Sequence, residues 1–278
     1  MTEVERRGND LPDVEVKEQL LVLRPPLKWA GGKRWLIPKL SKLWSKHKEV
    51  RLVEPFCGGL SVSLGLKPQN ALLNDINPAL INFYRQIQQG LTLNIKLEND
   101  ENLYYQHREL FNLLNMGNKE HKKSAELFYY LNRTGYNGLC RFNKSGGYNV
   151  PFGRYKKINY QSDFLHYQGQ LNKWQFTQKD FTEVELLDND FIYADPPYDV
   201  PFRQYSQQGF SWDDQVRLAE HLSKHKGPVA LSNQATEKIK KLYKSLGFKL
   251  HYLDAPRRIS CKANGRQVVK EVLALRGI

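Results

Sequence analysis

Along most of the chain, short apolar runs alternate with stretches whose apolar positions recur every three to four residues. These are the signatures of buried strands and amphipathic helices. Strands are predicted at Val50–Glu54, Ala71–Asn74, Trp174–Thr177, Phe191–Ala194, Val229–Ser232, Phe248–Leu253 and Val268–Leu275. Trp35, Leu36, Leu40, Leu43 and Trp44 fall at helical spacing after a Gly31-Gly32 turn, and a helix of small residues follows Gly58-Gly59 to about Gly65. The helix from Pro78 to about Gln89 has Asn77 as its N-cap and a proline at its first position, where a missing N–H costs nothing. Two further helices are predicted over Ser211–His225 and Thr236–Leu246. Strand, glycine turn, helix and second strand in that order make a doubly wound α/β unit.

The alternation breaks between about Asn94 and Gln170. Helical periodicity covers Glu101–Leu114 and His121–Asn132, and a stretch rich in glycine, asparagine and tyrosine follows. There Leu139–Asn143 and Tyr148–Phe152 flank Ser145-Gly146-Gly147, which predicts a β-hairpin. The expected organisation is a polar tail at 1–24, an α/β domain formed by 25–93 with 172–278, and an inserted, mainly helical domain at 94–171.

Composition narrows the class. Over 278 residues, 40% apolar and 26% charged side chains describe a globular chain, and no apolar run is long enough to span a bilayer. The N-terminus lacks the apolar core of a signal peptide, and the three cysteines, Cys57, Cys140 and Cys261, are too far apart for a zinc module or disulfide framework. A cytoplasmic location is expected, with no membrane partner and no metal. The formal charge of +13 is uneven: residues 1–24 hold four basic and six acidic side chains, leaving 38 basic against 23 acidic elsewhere. A body this basic suits a polyanionic partner. From Arg133 to Lys157 there are six basic residues, no acid, and five interleaved aromatics, the composition of a surface that grips phosphates and inserts side chains against bases. Arg257, Arg258, Lys262 and Arg266 form a second basic cluster.

The sharpest chemical signal is Asp195-Pro196-Pro197-Tyr198, directly after the apolar run Phe191-Ile192-Tyr193-Ala194. In open α/β sheets ligands bind beyond the carboxyl ends of the strands, where this tetrapeptide falls. Prolines fix the backbone and lack N–H donors, so carbonyl oxygens are left to point into a pocket. A carboxylate beside a carbonyl can accept both hydrogens of an exocyclic amino group, and the tyrosine gives a base a flat face to stack on. That array suits methylation of an adenine or cytosine amino nitrogen, whose lone pair is otherwise delocalised into the ring. The second signal is Glu54-Pro55-Phe56-Cys57-Gly58-Gly59 with Asp75 at the end of the next strand. A glycine turn lets the backbone approach a ligand, and the acid is placed to accept ribose hydroxyls. The turn lacks the full G-x-G-x-x-G pattern, so a nicotinamide dinucleotide fits poorly. Lys28-Trp29-Ala30-Gly31-Gly32-Lys33 is a third glycine turn without phosphate-loop spacing.

With these segments in order, the chain resembles the Dam family of DNA adenine-N6 methyltransferases, in its alpha-group arrangement of donor site, recognition insert and catalytic tetrapeptide. The likeness runs from Leu27 to about Leu275 and includes Asn74-Asp75-Ile76-Asn77, Leu131–Arg141 and Asn149–Tyr155. It implies a Rossmann-like, S-adenosylmethionine-dependent methyltransferase sheet carrying a target-recognition domain at 94–171, with S-adenosylhomocysteine as product. Asp195, Pro196, Pro197 and Tyr198 would be catalytic. Cofactor contacts would come from Trp29, Ala30, Gly31, Lys33, Glu54, Pro55, Phe56, Gly58, Gly59, Ser61, Asp75, Ile76, Asp180, Phe181 and Asp195. Double-stranded DNA would be met by Lys28, Arg133, Tyr136, Asn137, Leu139, Arg141, Asn149, Pro151, Arg154 and Tyr155, with Tyr136 as a wedge and Asn137 near the orphaned base. The resemblance implies GATC as the site, base flipping of the adenine, a monomer acting near the nucleoid, and a cognate restriction endonuclease as a candidate partner. One departure is a loop, 199–209, shorter than in the best-known members. Cytosine-N4 or RNA amino-group methylation, and an inactive DNA-binding module, are the alternatives.

Overall fold

The computed structural model describes residues 23–117, 121–198, 210–255 and 269–278. The polar stretch 1–22, the loop 199–209 and the basic cluster of Arg257, Arg258, Lys262 and Arg266 lie outside the described residues.

The chain enters through α1 (Ile37–Trp44) and then alternates β1 (Leu52–Glu54), α2 (Ser61–Leu66), β2 (Ala71–Asn74) and α3 (Pro78–Gln88). Three helices follow, α4 (Glu101–Gly117), α5 (His121–Thr134) and α6 (Leu165–Leu171). The alternation resumes with β3 (Trp174–Thr177), β4 (Phe191–Ala194), α7 (Trp212–Ser223), β5 (Val229–Gln234), α8 (Glu237–Ser245), β6 (Lys249–Ala255) and β7 (Val269–Arg276). The predicted cap at Asn77 is present, and a second cap starts α7. The Asn77 side chain accepts from the N–H groups of Ala79 and Leu80, and Ser211 and Asp214 form a capping box at the start of α7. The sequence periodicity does not show α6, a short helix interrupted by Gly169, which buries Tyr167 and Leu171.

The strands form one sheet in the order β3-β2-β1-β4-β5-β7-β6. The first five run parallel, while β7 lies antiparallel between β5 and β6. β1, β2 and β4 are buried at every position, as strands covered on both faces must be. The strand order reverses between β1 and β4, where Leu52 pairs with both Ala71 and Phe191, so the carboxyl ends of β1 and β4 flank the topological switch point. At the opposite end Arg51 makes a two-pronged ion pair with the fully buried Asp190, at 3.0 and 2.7 Å.

Alternate strand positions face different layers. Val53, Ile192, Leu231 and Val272 pack with Leu218, Leu222, Ile239 and Tyr243 of α7 and α8. On the other face, α3 joins the sheet to the 94–171 segment through Phe83, which stacks on Tyr129 at 6.0 Å and meets Phe164 edge-on at 5.4 Å. The core is therefore continuous from the sheet through α3 into α4 and α5. The glycine-rich segment closes a minimal hairpin through one bridge pair, Phe142 with Tyr148, and an Asn149 N–H to Arg141 carbonyl bond. The Asn143 carboxamide oxygen fastens the turn by accepting from the Gly147 N–H at 2.8 Å.

Candidate active site

A cleft of about 1100 Å³ opens at the carboxyl ends of β1, β2 and β4 and extends beneath the hairpin turn. Glu54 ends β1, Asp75 follows β2 and Asp195 follows β4, so the sheet brings together three acids that are far apart in the chain.

Asp195 is held from both sides. Its Oδ1 accepts from the Ser232 hydroxyl of β5 at 2.8 Å, and its Oδ2 lies 2.9 Å from the Lys33 ammonium. Lys33 is only 4% exposed. It also donates to the Gly31 carbonyl at 3.1 Å, lies 3.8 Å from Glu271 on β7 and sits 4.7 Å from the centre of the Tyr198 ring. The Tyr198 hydroxyl faces Glu271, and burial pushes both groups above their ordinary pKa values. Each carboxylate oxygen has a second lone pair, so Asp195 can still accept a ligand hydrogen. The Pro197 carbonyl is taken by the Gln215 side chain at 2.8 Å; no described hydrogen bond reaches the Pro196 carbonyl.

The donor side is built on glycines. Gly58 has φ +44°, in the left-handed region, and a β-carbon there would meet Trp29 Nε1 at 2.7 Å. One at Gly59 would meet the Trp29 β-carbon at the same distance. These glycines let Trp29 lie directly on the turn, and the Tyr84 hydroxyl pins the Gly58 carbonyl at 2.6 Å. Gly31, with φ +81°, lets the preceding turn bring Lys33 in, and a β-carbon on Gly32 would meet Ser61 Oγ at 2.9 Å. Asp75 accepts from the N–H groups of Gly58 and Asn77 at 3.1 and 3.0 Å, and burial pushes its carboxyl up to about 6. Glu54 is 2% exposed and is pushed up to about 8, mainly by burial, with Oε1 lacking a hydrogen-bond partner. Ala30, Pro55 and the exposed Ile76 also line the cleft.

Phe56, Phe181 and Phe210 form an aromatic cluster with ring centres 5.6–5.8 Å apart. The Asp180 carboxylate beside it is committed to structure. It caps the short turn Phe181–Glu183 and pairs with Arg217 at 3.0 Å; these bonds hold its pKa below the ordinary value despite the opposing cost of burial. Arg217 lies 4.9 Å over Phe181.

The residues expected to meet DNA are Lys28 and a group between Arg133 and Tyr155, several of which touch one another. Tyr136 is 42% exposed on a short turn with Asn137 at φ 52°, and its N–H donates to the Pro151 carbonyl at 2.9 Å. The fully buried Asn132 clamps Lys28 with reciprocal backbone bonds, both 2.8 Å. The Lys28 ammonium then donates to the Arg133 carbonyl at 2.8 Å and lies 3.7 Å over the Tyr155 ring. Burial first, then Arg133, bring its pKa down to about 8. Arg141 and Asn149 hold one another through a 2.8 Å side-chain bond. Arg154 and Pro151 are exposed, and Leu139 lines the cleft.

Sequence patterns did not show Ser232, Glu271, Gln215 or Asn233. Ser232, Asn233 and Glu271 are buried polar residues on strands, Gln215 is one polar residue among many on α7, and only the fold brings them to the tetrapeptide. The available signal is that polarity, a serine and an asparagine inside Val229–Gln234 and a glutamate inside β7.

The family model described as the D12 class N6 adenine-specific DNA methyltransferase matches residues 29–259. The chain is 36% identical over 264 residues to the retron Ec67 DNA adenine methylase of Escherichia coli, covering 90% of each chain. It is 36% identical over 269 residues to a DNA adenine methylase of Vibrio cholerae, covering 90% of this chain and 94% of that one. Against the type II methyltransferase M1.LlaDCHI of Lactococcus lactis subsp. cremoris it is 34% identical over 276 residues, with the same coverage.

Proposed function

The chain belongs to the D12 class of N6 adenine-specific DNA methyltransferases, and on that premise we propose that it methylates the adenine of GATC, after flipping that base out of duplex DNA. The observation that carries the chemistry is Asp195, held by Lys33 and Ser232 next to the Pro196 carbonyl at the sheet's switch point. S-adenosylmethionine, when bound, supplies the electrophilic methyl group.

The residues fit that cofactor. The half-buried Asp75 keeps lone pairs for ribose hydroxyls, the phenylalanine cluster can take an adenine ring, and Glu54 offers an unpartnered buried oxygen to an ammonium group. Trp29 and Lys33 would close the methionine end. No polar cluster of this kind is needed for packing alone, since buried carboxyls without partners destabilise a fold.

At the target, Tyr198 stacks on the extruded base. The Asp195 carboxylate and the Pro196 carbonyl accept the two amino hydrogens, which favours a tetrahedral N6 with its lone pair directed at the methyl group. As positive charge develops on N6, the carboxylate stabilises it, and the proton that must leave already points at Asp195. Lys33 and Ser232 fix the carboxylate beforehand, so little reorganisation accompanies the step. Duplex adenine must leave the stack to reach the pocket, and the exposed Tyr136 is placed to fill the gap. Arg141 and Arg154 supply guanidinium groups able to read guanine in the major groove.

The test is incubation of purified protein with plasmid and cofactor, nucleoside mass spectrometry, and mapping of the product at base resolution. N6-methyladenine confined to GATC is expected. Methylated adenine elsewhere overturns the site; N4-methylcytosine, or no modified base, overturns the reaction.

A further inference from the structure

Asp195–Tyr198 poses a mechanical difficulty. Its two prolines have no N–H, so the turn cannot be tied down by its own donors at those positions. Among the described residues, one side-chain hydrogen bond reaches its backbone, from Gln215 Nε2 to the Pro197 carbonyl at 2.8 Å. Gln215 belongs to the first turn of α7, whose start is fixed by the Ser211–Asp214 capping box. It is 1% exposed, although α7 otherwise buries Leu218, Ala219 and Leu222.

Gln215 is itself held in place. Its Oε1 accepts from Asn233 Nδ2 at 2.9 Å, and the other Asn233 amide hydrogen goes to the Tyr243 hydroxyl at 2.9 Å. The Asn233 Oδ1 accepts from the Gln234 N–H at 2.8 Å. Asn233 and Tyr243 are fully buried. The chain therefore runs from α8 through β5 and α7 to the tetrapeptide, with every amide group pointing one way. Swapping the Gln215 amide would set its oxygen against the Pro197 carbonyl and its nitrogen against a donor, so the orientation is fixed.

We propose that Gln215, locked by Asn233 and Tyr243, is a positioning residue for methyl transfer: it holds the Pro197 carbonyl back from the pocket and so directs the Pro196 carbonyl and the Asp195 carboxylate at the target amino group. This rests on the reading of Asp195–Tyr198 as the catalytic segment. A polar chain in this place is not required to fill the core, because apolar side chains of the same size would pack there with Leu218, Ala219 and Ile239. Its consequence is geometric. An acceptor misplaced by about an ångström can lower the rate on the order of 100-fold without weakening binding.

The test uses the full chain with Gln215→Met, which keeps length and volume but removes the donor, beside Asp195→Ala. The expected result is a single-turnover methylation rate lower by roughly tenfold to 100-fold. Cofactor affinity and DNA affinity should stay near those of the unsubstituted protein, while the melting temperature falls by a few degrees because the buried Asn233 amide loses an acceptor. Should Gln215→Met fail to fold, Gln215→Met combined with Asn233→Leu leaves neither side-chain amide stranded, still lacks any donor to Pro197 and carries the same expectation. An unchanged single-turnover rate in the folded variant, with Asp195→Ala inactive, overturns the inference alone. A rate loss that tracks weaker cofactor binding, or that disappears at a temperature where the variant is fully folded, assigns Gln215 a merely structural part and also overturns it. Full activity in Asp195→Ala strikes instead at the reading of the tetrapeptide.

Discussion

Cofactor affinity should depend on pH through Asp75, with a sign and size fixed by its surroundings. Burial holds this carboxyl at about 6, against an ordinary 3.8, even though the Gly58 and Asn77 N–H groups favour its anion. On the proposed reading, ribose hydroxyls would add two more donors, and donors stabilise the anion. Binding below pH 6 must then expel a proton. At pH 5 about ten of eleven free molecules carry Asp75 protonated, so the dissociation constant should rise about tenfold over its neutral value, about 1.4 kcal/mol. Stability moves the opposite way. The native state holds the Asp75 proton more tightly than the unfolded chain, so this group favours folding more as pH falls from about 6 toward 4. Acid unfolding driven by Asp75 therefore cannot mimic the loss of affinity. Calorimetric titration with S-adenosylhomocysteine from pH 5 to 8 measures the slope, and Asp75→Asn isolates it from Glu54, which titrates near 8. Identical pH profiles for the two proteins would refute the reasoning.

Gly59→Ala places a methyl group 2.7 Å from the Trp29 β-carbon, an overlap worth about 1–3 kcal/mol that is relieved by moving Trp29 off the turn. Cofactor affinity measured by calorimetry should fall roughly tenfold or more, with the thermal transition lowered by a few degrees. Asp190→Ala strands the Arg51 guanidinium and the Leu187 N–H at the far end of the sheet, so denaturant unfolding should show a loss of about 3–5 kcal/mol. The single-turnover rate of the protein that remains folded should be unaffected, since the pair is remote from the cleft.

How much of this was legible in the sequence depended on the range of the interactions. β1, β2 and β4 could be read because both their faces are buried, which leaves an uninterrupted apolar run. α3 could be read because Asn77 and Pro78 form its start by local chemistry. α6 could not: it is one short, glycine-interrupted helix whose existence depends on packing Tyr167 and Leu171 against α3. The site divides in the same way. Glu54, Asp75 and Asp195 announce themselves because each lies at the carboxyl end of its own strand, and strand ends in an α/β sheet are where ligands go. Asp180 is singled out by the family likeness alone, whereas its spacing to Glu183 is that of a capping box, and the structure spends its carboxylate on that cap and on Arg217. Ser232, Glu271 and Gln215 carry no local message. β7 enters between β5 and β6 against the order of the chain, and only that insertion puts Glu271 within 3.8 Å of Lys33. Groups that must touch the ligand are thus marked by position along the chain, whereas the groups that aim them are marked only by being polar where packing asks for apolar. A serine, an asparagine or a glutamate inside a buried strand is the sequence's remaining trace of the scaffold behind a site.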